Sequence, residues 1–278
     1  MSTVIASYNI KGGVGKTSAA VNLAALATAA GARVLLWDLD PQGAATFLLR
    51  VKPEIKGGGR RLVRGKSDAA ALVKGSDHEG LDLLPADFSY RKMDLALDST
   101  KRPTRRIARV LESLAADYDY VFLDCPPAIS LSSESIFDAA DVLLVPLIAS
   151  PLSLRTFDQL QRFVADEVRN EPRILAFFSM TDARKRLHRE LIAQLSGAHD
   201  GVLSTAIPAA SDVERMAVHR RPIACFAAHG RAARAYARLW AELRDRIDPA
   251  GAAAGDVHDS FTVPSRHDNR GPARTQDD

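Results

Sequence analysis

Short apolar runs alternate along the chain with longer stretches in which apolar residues recur at helical spacing. Several runs are apolar throughout, which is typical of strands in a parallel sheet that is covered on both faces. The clearest helical stretch is Arg231 to Ile247, where the large apolar residues fall on one face. The alternation predicts an α/β fold, with a doubly wound, mostly parallel twisted sheet flanked by helices. The predicted strands are Val4–Tyr8, Val34–Trp37, Leu81–Leu84, Tyr120–Leu123, Val142–Val145, Ile174–Phe178 and Val202–Ala206.

Two segments break the alternation and set the expected domain boundary. Lys52 to Gly65 holds three consecutive glycines between basic residues, which predicts a flexible basic loop. Pro249 to Asp278 has few large apolar residues and predicts a disordered polar tail, because such a segment cannot bury enough surface to fold. We therefore expect one folded domain over residues 1–248 and a tail over residues 249–278.

Composition excludes several classes of protein. The chain has 278 residues, of which 46% are hydrophobic and 26% charged, so it is neither fibrous nor wholly disordered. Its two cysteines, Cys125 and Cys225, are too few for a disulfide scaffold or a self-contained zinc finger, and we expect both to be buried. The longest apolar run, Val142 to Leu154, contains two prolines and is too short to cross a bilayer. With no apolar leader at the N-terminus, we expect a soluble cytoplasmic protein.

A glycine-rich loop follows the first predicted strand and leads into a predicted helix, Ser18 to Ala30. A strand, such a loop and a helix N-terminus form an anion site, because backbone N–H groups converge there and the helix dipole favours negative charge. We expect Lys16 to contact the β- and γ-phosphates of a nucleotide and the Thr17 hydroxyl to bind Mg²⁺. The alternative is a glycine-rich turn with two exposed lysines. The candidate nucleotide-binding residues are Lys11, Gly12, Gly13, Val14, Gly15, Lys16, Thr17 and Ser18.

This loop resembles the deviant Walker A motif of the ParA/MinD family of P-loop ATPases, closest to the ParA/Soj-type partition ATPases. Leu35 to Thr46 is similar to the family motif D-x-D-P-Q-G-N-A-T, and Val121 to Pro127 to its Walker B strand. Gly80 to Ala86 matches the ParA strand G-L-D-L-I-P-A. Ala209-Ala210 follow Ile207-Pro208 where many ParA proteins carry Arg-Asn. The resemblance covers roughly Thr3 to Ile247 and implies a Mg²⁺-dependent ATPase.

The resemblance also implies roles for acidic residues. Thr17 would bind Mg²⁺ directly and Asp124 would hold it through water. Asp40 is similar to the family residue that orients the attacking water. Asp38 is expected to support that residue, with a charge pair to a lysine as the alternative.

Lys11 resembles the family lysine that reaches across a dimer interface to the phosphates of the partner. The resemblance therefore implies a homodimer with ATP sandwiched between the subunits, in which Lys11, Lys16 and Asp40 are catalytic. Loops near Met180 and Pro208 would contact the base.

ParA-type members bind double-stranded DNA without sequence preference, and the resemblance implies the same here, in a nucleoid-associated protein. A ParB-like or other activating protein would be a partner, and no membrane binding is expected, because the tail lacks an apolar helical stripe. Two alternatives stay open: a family ATPase that switches a non-DNA assembly, such as a polar protein cluster or a cellulose-synthesis complex, and a nucleotide-dependent adaptor with negligible turnover. The candidate DNA contacts are Arg184, Lys185, Arg186, Arg189, Arg220 and Arg221.

Overall fold

The computed structural model describes residues 2–248, except for the side chains of residues 197 and 198. In that part of the chain, seven strands form one sheet in the order β3-β4-β2-β5-β1-β6-β7, and every pair is parallel except β3 with β4. The strands are β1 (Thr3–Ser7), β2 (Val34–Asp38), β3 (Lys74–Gly75), β4 (Leu81–Leu84), β5 (Tyr120–Asp124), β6 (Val142–Ile148) and β7 (Arg173–Ser179). This confirms the predicted doubly wound α/β fold.

Helices connect the strands and cover the sheet. Short 3₁₀ turns lie at Ala70–Leu72, Phe88–Lys92, Pro103–Arg105 and Ala115–Asp117. The α-helices of the described residues are α1 (Lys16–Ala29), α2 (Ala44–Leu48), α3 (Gly58–Val63), α4 (Met93–Asp98), α5 (Arg106–Glu112), α6 (Leu131–Phe137), α7 (Pro151–Glu167), α8 (Arg186–Ala198), α9 (Ser211–His219), α10 (Ala224–Ala227) and α11 (Arg231–Ile247).

Both faces of the sheet are buried, which explains why the strands are apolar at consecutive positions. Tyr8 packs edge-on against Phe137 of α6, with ring centroids 4.7 Å apart. Phe122 of β5 lies near Trp240 of α11, with centroids 6.1 Å apart. Because neighbouring residues of a strand point to opposite faces, the sheet needs large apolar side chains at every position.

Parallel pairing brings the carboxyl ends of the central strands to one edge of the sheet. Asp124, the last residue of β5, lies in register with Ser7 of β1 and with Asp38 of β2. Two carboxylates therefore end adjacent strands, next to the loop that follows β1. This edge is where parallel α/β sheets bind ligands.

The seventh predicted strand, Val202–Ala206, is wrong. Val202 forms a single isolated bridge with Ala176, and no strand follows it. The reason lies in the next backbone N–H groups: those of Ser204 and Thr205 donate to the Glu242 carboxylate, at 2.6 and 2.9 Å. The Glu242 side chain thus accepts the hydrogen bonds that a neighbouring strand would otherwise accept. The two-residue strand β3 was not predicted, because it is too short to show a period.

The predicted flexible loop at Lys52–Gly65 is also wrong in part. Its second half forms α3, and Leu62 and Val63 are buried in the core. Gly59 lies so close to the Tyr90 ring that no Cβ fits between them. The glycines therefore allow close packing of a short helix rather than a flexible connection.

The chain divides into two units, residues 1–243 and 244–278, and the described part of the second is residues 244–248, of which the first four end α11. The predicted tail, 249–278, lies outside the described residues. Among residues 2–248 no helix is long and apolar enough to span a membrane. Cys125 is buried as expected, but Cys225 is exposed, which corrects that prediction.

Candidate functional site

The loop between β1 and α1 is held by backbone conformations that favour glycine. Gly13 and Gly15 have φ angles of 72° and 96°, which side-chain-bearing residues rarely adopt. A Cβ on Gly15 would also lie 2.9 Å from Ser179 Oγ, at the end of β7. Position 15 therefore requires glycine for two reasons: the left-handed φ angle and the close approach of Ser179 at the end of β7.

The Lys16 side chain is buried at the start of α1 and bends back over the loop. Its Nζ donates to the Lys11 carbonyl at 3.1 Å, and the Ser7 hydroxyl donates to the Lys16 carbonyl at 2.9 Å. Burial lowers the pKa of Lys16, while the charges of Asp124 and Asp40 raise it. A buried ammonium at the N-terminus of a helix is suited to bind phosphate oxygens.

A cleft of about 380 Å³ opens beside this loop. It is bounded by residues that follow the ends of β1, β2, β5 and β7, and this places it at the carboxyl edge of the sheet. The loop wall of the cleft consists of Gly12, Gly13, Gly15, Lys16, Thr17, Ser18 and Asp40. The apolar wall consists of Met180, Ile207, Pro208, Ala209, Ala210 and Val213. The remaining lining residues are Pro127, Ser179, Glu214 and Tyr236.

Asp124 is fully buried, and neither of its carboxylate oxygens has a hydrogen-bond partner among the described residues. Burial raises its pKa well above the usual range, and the neighbouring Asp38 charge raises it further, while the Thr17 hydroxyl and Lys16 oppose the shift. An unpartnered buried carboxylate is costly unless a cation compensates it. Oxygen donors from a carboxylate and a hydroxyl suit Mg²⁺, so the residues present fit this ion.

Asp38 is buried and shapes the segment that follows β2. Its Oδ2 accepts hydrogen bonds from the Thr46 N–H and hydroxyl, at 2.8 and 2.7 Å. Thr46 Oγ1 in turn accepts from the Ala86 N–H at 2.9 Å. Burial raises the pKa of Asp38 to about 6, and the hydrogen bonds from Thr46 oppose the shift. Asp38 therefore positions this segment, and it forms no ion pair with a lysine of residues 2–248.

Asp40 lies at the rim of the cleft and is half-buried. Its Oδ1 accepts the Gln42 N–H at 2.9 Å. The other carboxylate oxygen of Asp40 accepts no hydrogen bond from a described residue, so it is available to a ligand or a water molecule. A carboxylate oriented in this way at the mouth of an anion site can accept a proton from, or orient, a water molecule.

Comparison with known proteins decides the family. A family model described as an AAA domain matches residues 2–174. The sporulation initiation inhibitor protein Soj of Bacillus subtilis is 31% identical over 249 residues, covering 87% of this chain and 98% of that protein. The chromosome partitioning protein ParA of Caulobacter vibrioides is 32% identical, covering 90% and 97%. The chain belongs to the ParA/MinD family of P-loop ATPases.

A solved structure of cobyrinic acid a,c-diamide synthase from Mycobacterium smegmatis, with bound ADP and magnesium, is similar as well. It is 28% identical, has a TM-score of 0.75, and covers 90% of this chain and 97% of that one. Nucleotide and Mg²⁺ binding therefore occur within the ParA/MinD-type fold.

Two of the predicted loop residues do not line the cleft. Val14 is buried in the core, and the Lys11 side chain points elsewhere, with its Nζ 3.5 Å from Ser153 Oγ at the start of α7. The Lys11 N–H donates to Asn9 Oδ1 at 2.9 Å and the Lys11 carbonyl accepts from Lys16 Nζ, so both backbone groups of this lysine are fixed. The Lys11 ammonium thus lies outside the cleft of its own chain.

Met180 and Pro208 both line the cleft, although 27 positions separate them. Thr181 and Pro208 form an isolated bridge, in which the Ala209 N–H donates to the Thr181 carbonyl at 2.9 Å. Met180 itself has a φ of 55° and is 46% exposed. The pairing of these two loops explains how distant segments form one wall.

Sequence reasoning missed several lining residues that come from distant helices. Val213 and Glu214 lie in the first turn of α9, and Tyr236 lies on the buried face of α11. The helix that starts just after Ala209-Ala210 was the available signal for the first two. Tyr236 gave none, because its helical face predicts only burial.

The predicted DNA contacts lie in two places, and four of the six have partners within the chain: Arg184, Arg186, Arg189 and Arg220. Arg184 pairs with Asp182 at 2.9 Å and lowers the pKa of that carboxyl, and Arg186 pairs with Glu190 at 2.6 Å. Arg189 donates to the Ala183 carbonyl at 2.7 Å. Lys185, just before α8, is exposed.

Arg220 is joined to the end of α2 by hydrogen bonds that run in both directions. Its Nε donates to the Phe47 carbonyl at 2.9 Å, and its guanidinium lies 4.4 Å from the centre of the Phe47 ring. In return, Arg50 donates to the carbonyls of Arg220 and His219, at 3.2 and 3.0 Å. Both arginines have left-handed backbones, with φ of 49° and 59°. Arg220 therefore joins α9 to α2, and Arg221 next to it is only half-exposed.

Proposed function

We propose that this protein is a Mg²⁺-dependent ATPase that dimerises on ATP, binds DNA without sequence preference and positions DNA or another large cargo. The observation that carries the proposal is the buried Lys16 ammonium in the wall of a nucleotide-sized cleft. Behind that wall, the fully buried Asp124 carboxylate has no hydrogen-bond partner among the described residues, and its charge raises the pKa of Lys16. Adaptors without turnover do not need a water-orienting carboxylate, and Asp40 at the rim argues for hydrolysis.

Each residue of the cleft has a distinct task in this proposal. Lys16 and the loop N–H groups bind the phosphate oxygens, and Thr17 and Asp124 would hold Mg²⁺. The ion supplies positive charge that neutralises the phosphates. Asp40 orients the attacking water with its uncommitted oxygen. Met180 and Pro208 contact the base by shape rather than by charge.

Hydrolysis is tested with Asp40→Ala, which removes water orientation and leaves the phosphate contacts in place. We expect ATP binding to persist and turnover to fall at least about a hundredfold. Gln42→Ala is the matched control, because only its backbone N–H contacts Asp40. Wild-type turnover in Asp40→Ala would show that another group orients the water.

Dimerisation is proposed because Lys11 lies outside its own cleft and is thus free to serve a second subunit. Gly12 is exposed, and a Cβ there would meet only Pro127 Cγ, at 4.0 Å. Gly12→Val should therefore fold as a monomer and fail to dimerise, with Gly12→Ala as the milder control. Sedimentation of Asp40→Ala with saturating ATP should show a dimer. A persistent monomer would remove the proposed role of Lys11.

DNA binding is proposed through the exposed side chains around the start of α8. Arg184→Glu with Arg186→Glu should weaken retention on duplex DNA about tenfold or more at low salt, without changing basal hydrolysis. Arg234→Glu with Arg238→Glu, on the exposed face of α11, is the control of equal charge. Retention that falls equally in both variants would indicate a response to net charge alone.

Control of a non-DNA assembly is the second candidate, and one observation favours it. Arg184 and Arg186 already pair with acidic residues of their own helix region, so their charges are partly neutralised. If wild-type protein with ATP does not bind duplex DNA at low salt, this second candidate replaces the first.

A further inference from the structure

A second cleft, of about 420 Å³, lies between the end of α3 and helix α5. It shares no lining residue with the nucleotide cleft. Its polar lining consists of Arg64, Ser67, Asp68, Arg106, Arg109 and Ser113. We name it the arginine cleft.

The three arginines of the arginine cleft form no ion pair with any carboxylate of the described residues. Arg64 and Arg106 are half-buried, and the Nε of each is buried without an acceptor in the same part of the chain. A half-buried guanidinium without an anionic partner is unfavourable, and an anion bound from outside the chain would offset that cost. Asp68 is the single carboxylate of the lining, and its Oδ1 already accepts the Ala70 N–H at 3.1 Å.

The side chain of Arg64 and the backbone beside Arg106 are held in place before any ligand arrives. Arg64 Nη2 donates to the Ser99 hydroxyl. Arg106 opens α5, and the next residue, Ile107, donates its N–H to Ser135 Oγ of α6 at 3.1 Å. Donors that are held in place lose little entropy on binding, which favours a specific ligand over loose counterions.

We propose that the arginine cleft binds a compact, multiply charged phosphoryl anion, namely a pyrophosphate group, either free or carried by a nucleotide. Arginine guanidinium groups bind phosphate oxygens in bidentate geometry, and three of them offset the charge of two linked phosphates. The volume is that of a small-ligand site. Arg64 and Arg106 are half-buried, whereas contacts to a nucleic-acid backbone come from exposed side chains that reach out to separate phosphates.

Titration calorimetry with inorganic pyrophosphate tests the proposal, in Mg²⁺-free buffer on Lys16→Ala protein, so that the nucleotide cleft does not contribute. Arg64→Gln with Arg106→Gln should weaken binding at least tenfold. Arg60→Gln with Arg61→Gln is the matched control: it removes the same charge from the exposed side of α3, outside the arginine cleft, and should stay within twofold. No binding to the parent, or equal losses in both variants, overturns the proposal.

Competing ligands then identify the source of the phosphates. Binding by ADP as tight as by pyrophosphate indicates a nucleotide, and binding by pyrophosphate alone indicates the free anion. Displacement of pyrophosphate by a short DNA duplex, with the same dependence on Arg64 and Arg106, overturns the compact ligand. If the double variant does not fold, as judged by circular dichroism, the exposed Arg109→Gln replaces it, and an unchanged affinity there has the same meaning.

Discussion

The loop wall of the nucleotide cleft is built from polar and charged side chains and from glycines in left-handed conformations, whereas the apolar wall is built mainly from small or apolar side chains on two paired loops. The two walls meet where Gly15 approaches Ser179. On the loop wall, a single atom such as Lys16 Nζ has a defined hydrogen-bond partner, and removing that atom removes one particular interaction. On the apolar wall, contacts are spread over many atoms, and no one side chain dominates. Substitutions should therefore have concentrated effects on one wall and diffuse effects on the other.

Lys16→Ala should produce the largest change, because it removes the ammonium that faces the phosphates. We expect ATP affinity to fall at least about a hundredfold, the equivalent of about 3 kcal/mol. Lys11→Ala should stay within about threefold of wild type in the same assay, since Lys11 does not line the cleft. Fluorescent-nucleotide titration measures both, and equal losses would show that the two lysines act on the same phosphates.

Asp124→Asn should have opposite effects on two properties: it should stabilise the ligand-free protein and weaken the binding of Mg²⁺ and ATP. The pKa of Asp124 is raised well above normal and that of Asp38 to about 6, so the folded state without ligand holds protons that the unfolded chain releases at about pH 4. This contribution to stability is complete below about pH 4 and is lost as the pH rises through about 6, by up to about 3 kcal/mol for the Asp38 shift.

Thermal unfolding of the ligand-free protein at pH 5 and pH 8 measures this effect. Asp124→Asn should gain in unfolding midpoint relative to wild type as the pH rises, and should lose the added stability that Mg²⁺ and ATP give wild type. A constant difference between the two proteins across this range would show that Asp124 is already satisfied.

Gly15→Ala should have an intermediate effect, where the two walls meet. The new Cβ takes on a φ of 96° and approaches Ser179 Oγ at 2.9 Å. Gly31→Ala is the matched control, because its φ is 91° and nothing lies within 4 Å. We expect the control to lose about 1 kcal/mol in chemical denaturation and Gly15→Ala roughly 1–2 kcal/mol more. Adding Ser179→Ala should recover only this extra loss.

Met180→Ala and Pro208→Ala should have the smallest effects. Met180 is half-exposed, and each side chain supplies only part of an apolar surface, so we expect ATP affinity to fall about two- to fivefold. The ratio of ATP to GTP affinity should stay nearly constant, because neither side chain carries a hydrogen-bonding group. A tenfold loss in either variant would mean that one residue dominates this wall.

Local patterns predicted the parts of this molecule that local physics determines. The strand, glycine loop and helix around Lys16 are adjacent in sequence, and the helix Arg231–Ile247 was predicted with its observed bounds, because its apolar face repeats over almost five turns. Prediction of secondary structure failed where a residue far away in the sequence determines the local structure. Glu242 takes the N–H groups that would have extended the Val202–Ala206 strand, and α3 forms because Tyr90 and the core receive it.

In the candidate site, too, local sequence predicted some features and not others. The motif residues Lys16, Asp40 and Asp124 were identified in advance, and the structure brings them to one edge of the sheet. Their burial and partners were not predictable, since the unpartnered state of Asp124 depends on the register between β2 and β5. Likewise, no local pattern could show that Arg220 holds the end of α2.

The central position of β1 has a consequence for the order in which the chain folds during synthesis. β1 is made first, yet its two neighbours in the sheet are β5 and β6, which end at Asp124 and Ile148. Roughly 140 residues must follow β1 before both neighbours exist, which at about 5–20 residues per second takes about 7–30 s. Until β5 has been made, the apolar strand Thr3–Ser7 has no permanent pairing partner, and until β6 follows, one of its two edges stays unpaired. The nucleotide site therefore forms only after β5 and β6 have been translated, and the unpaired first strand is where a chaperone would be needed.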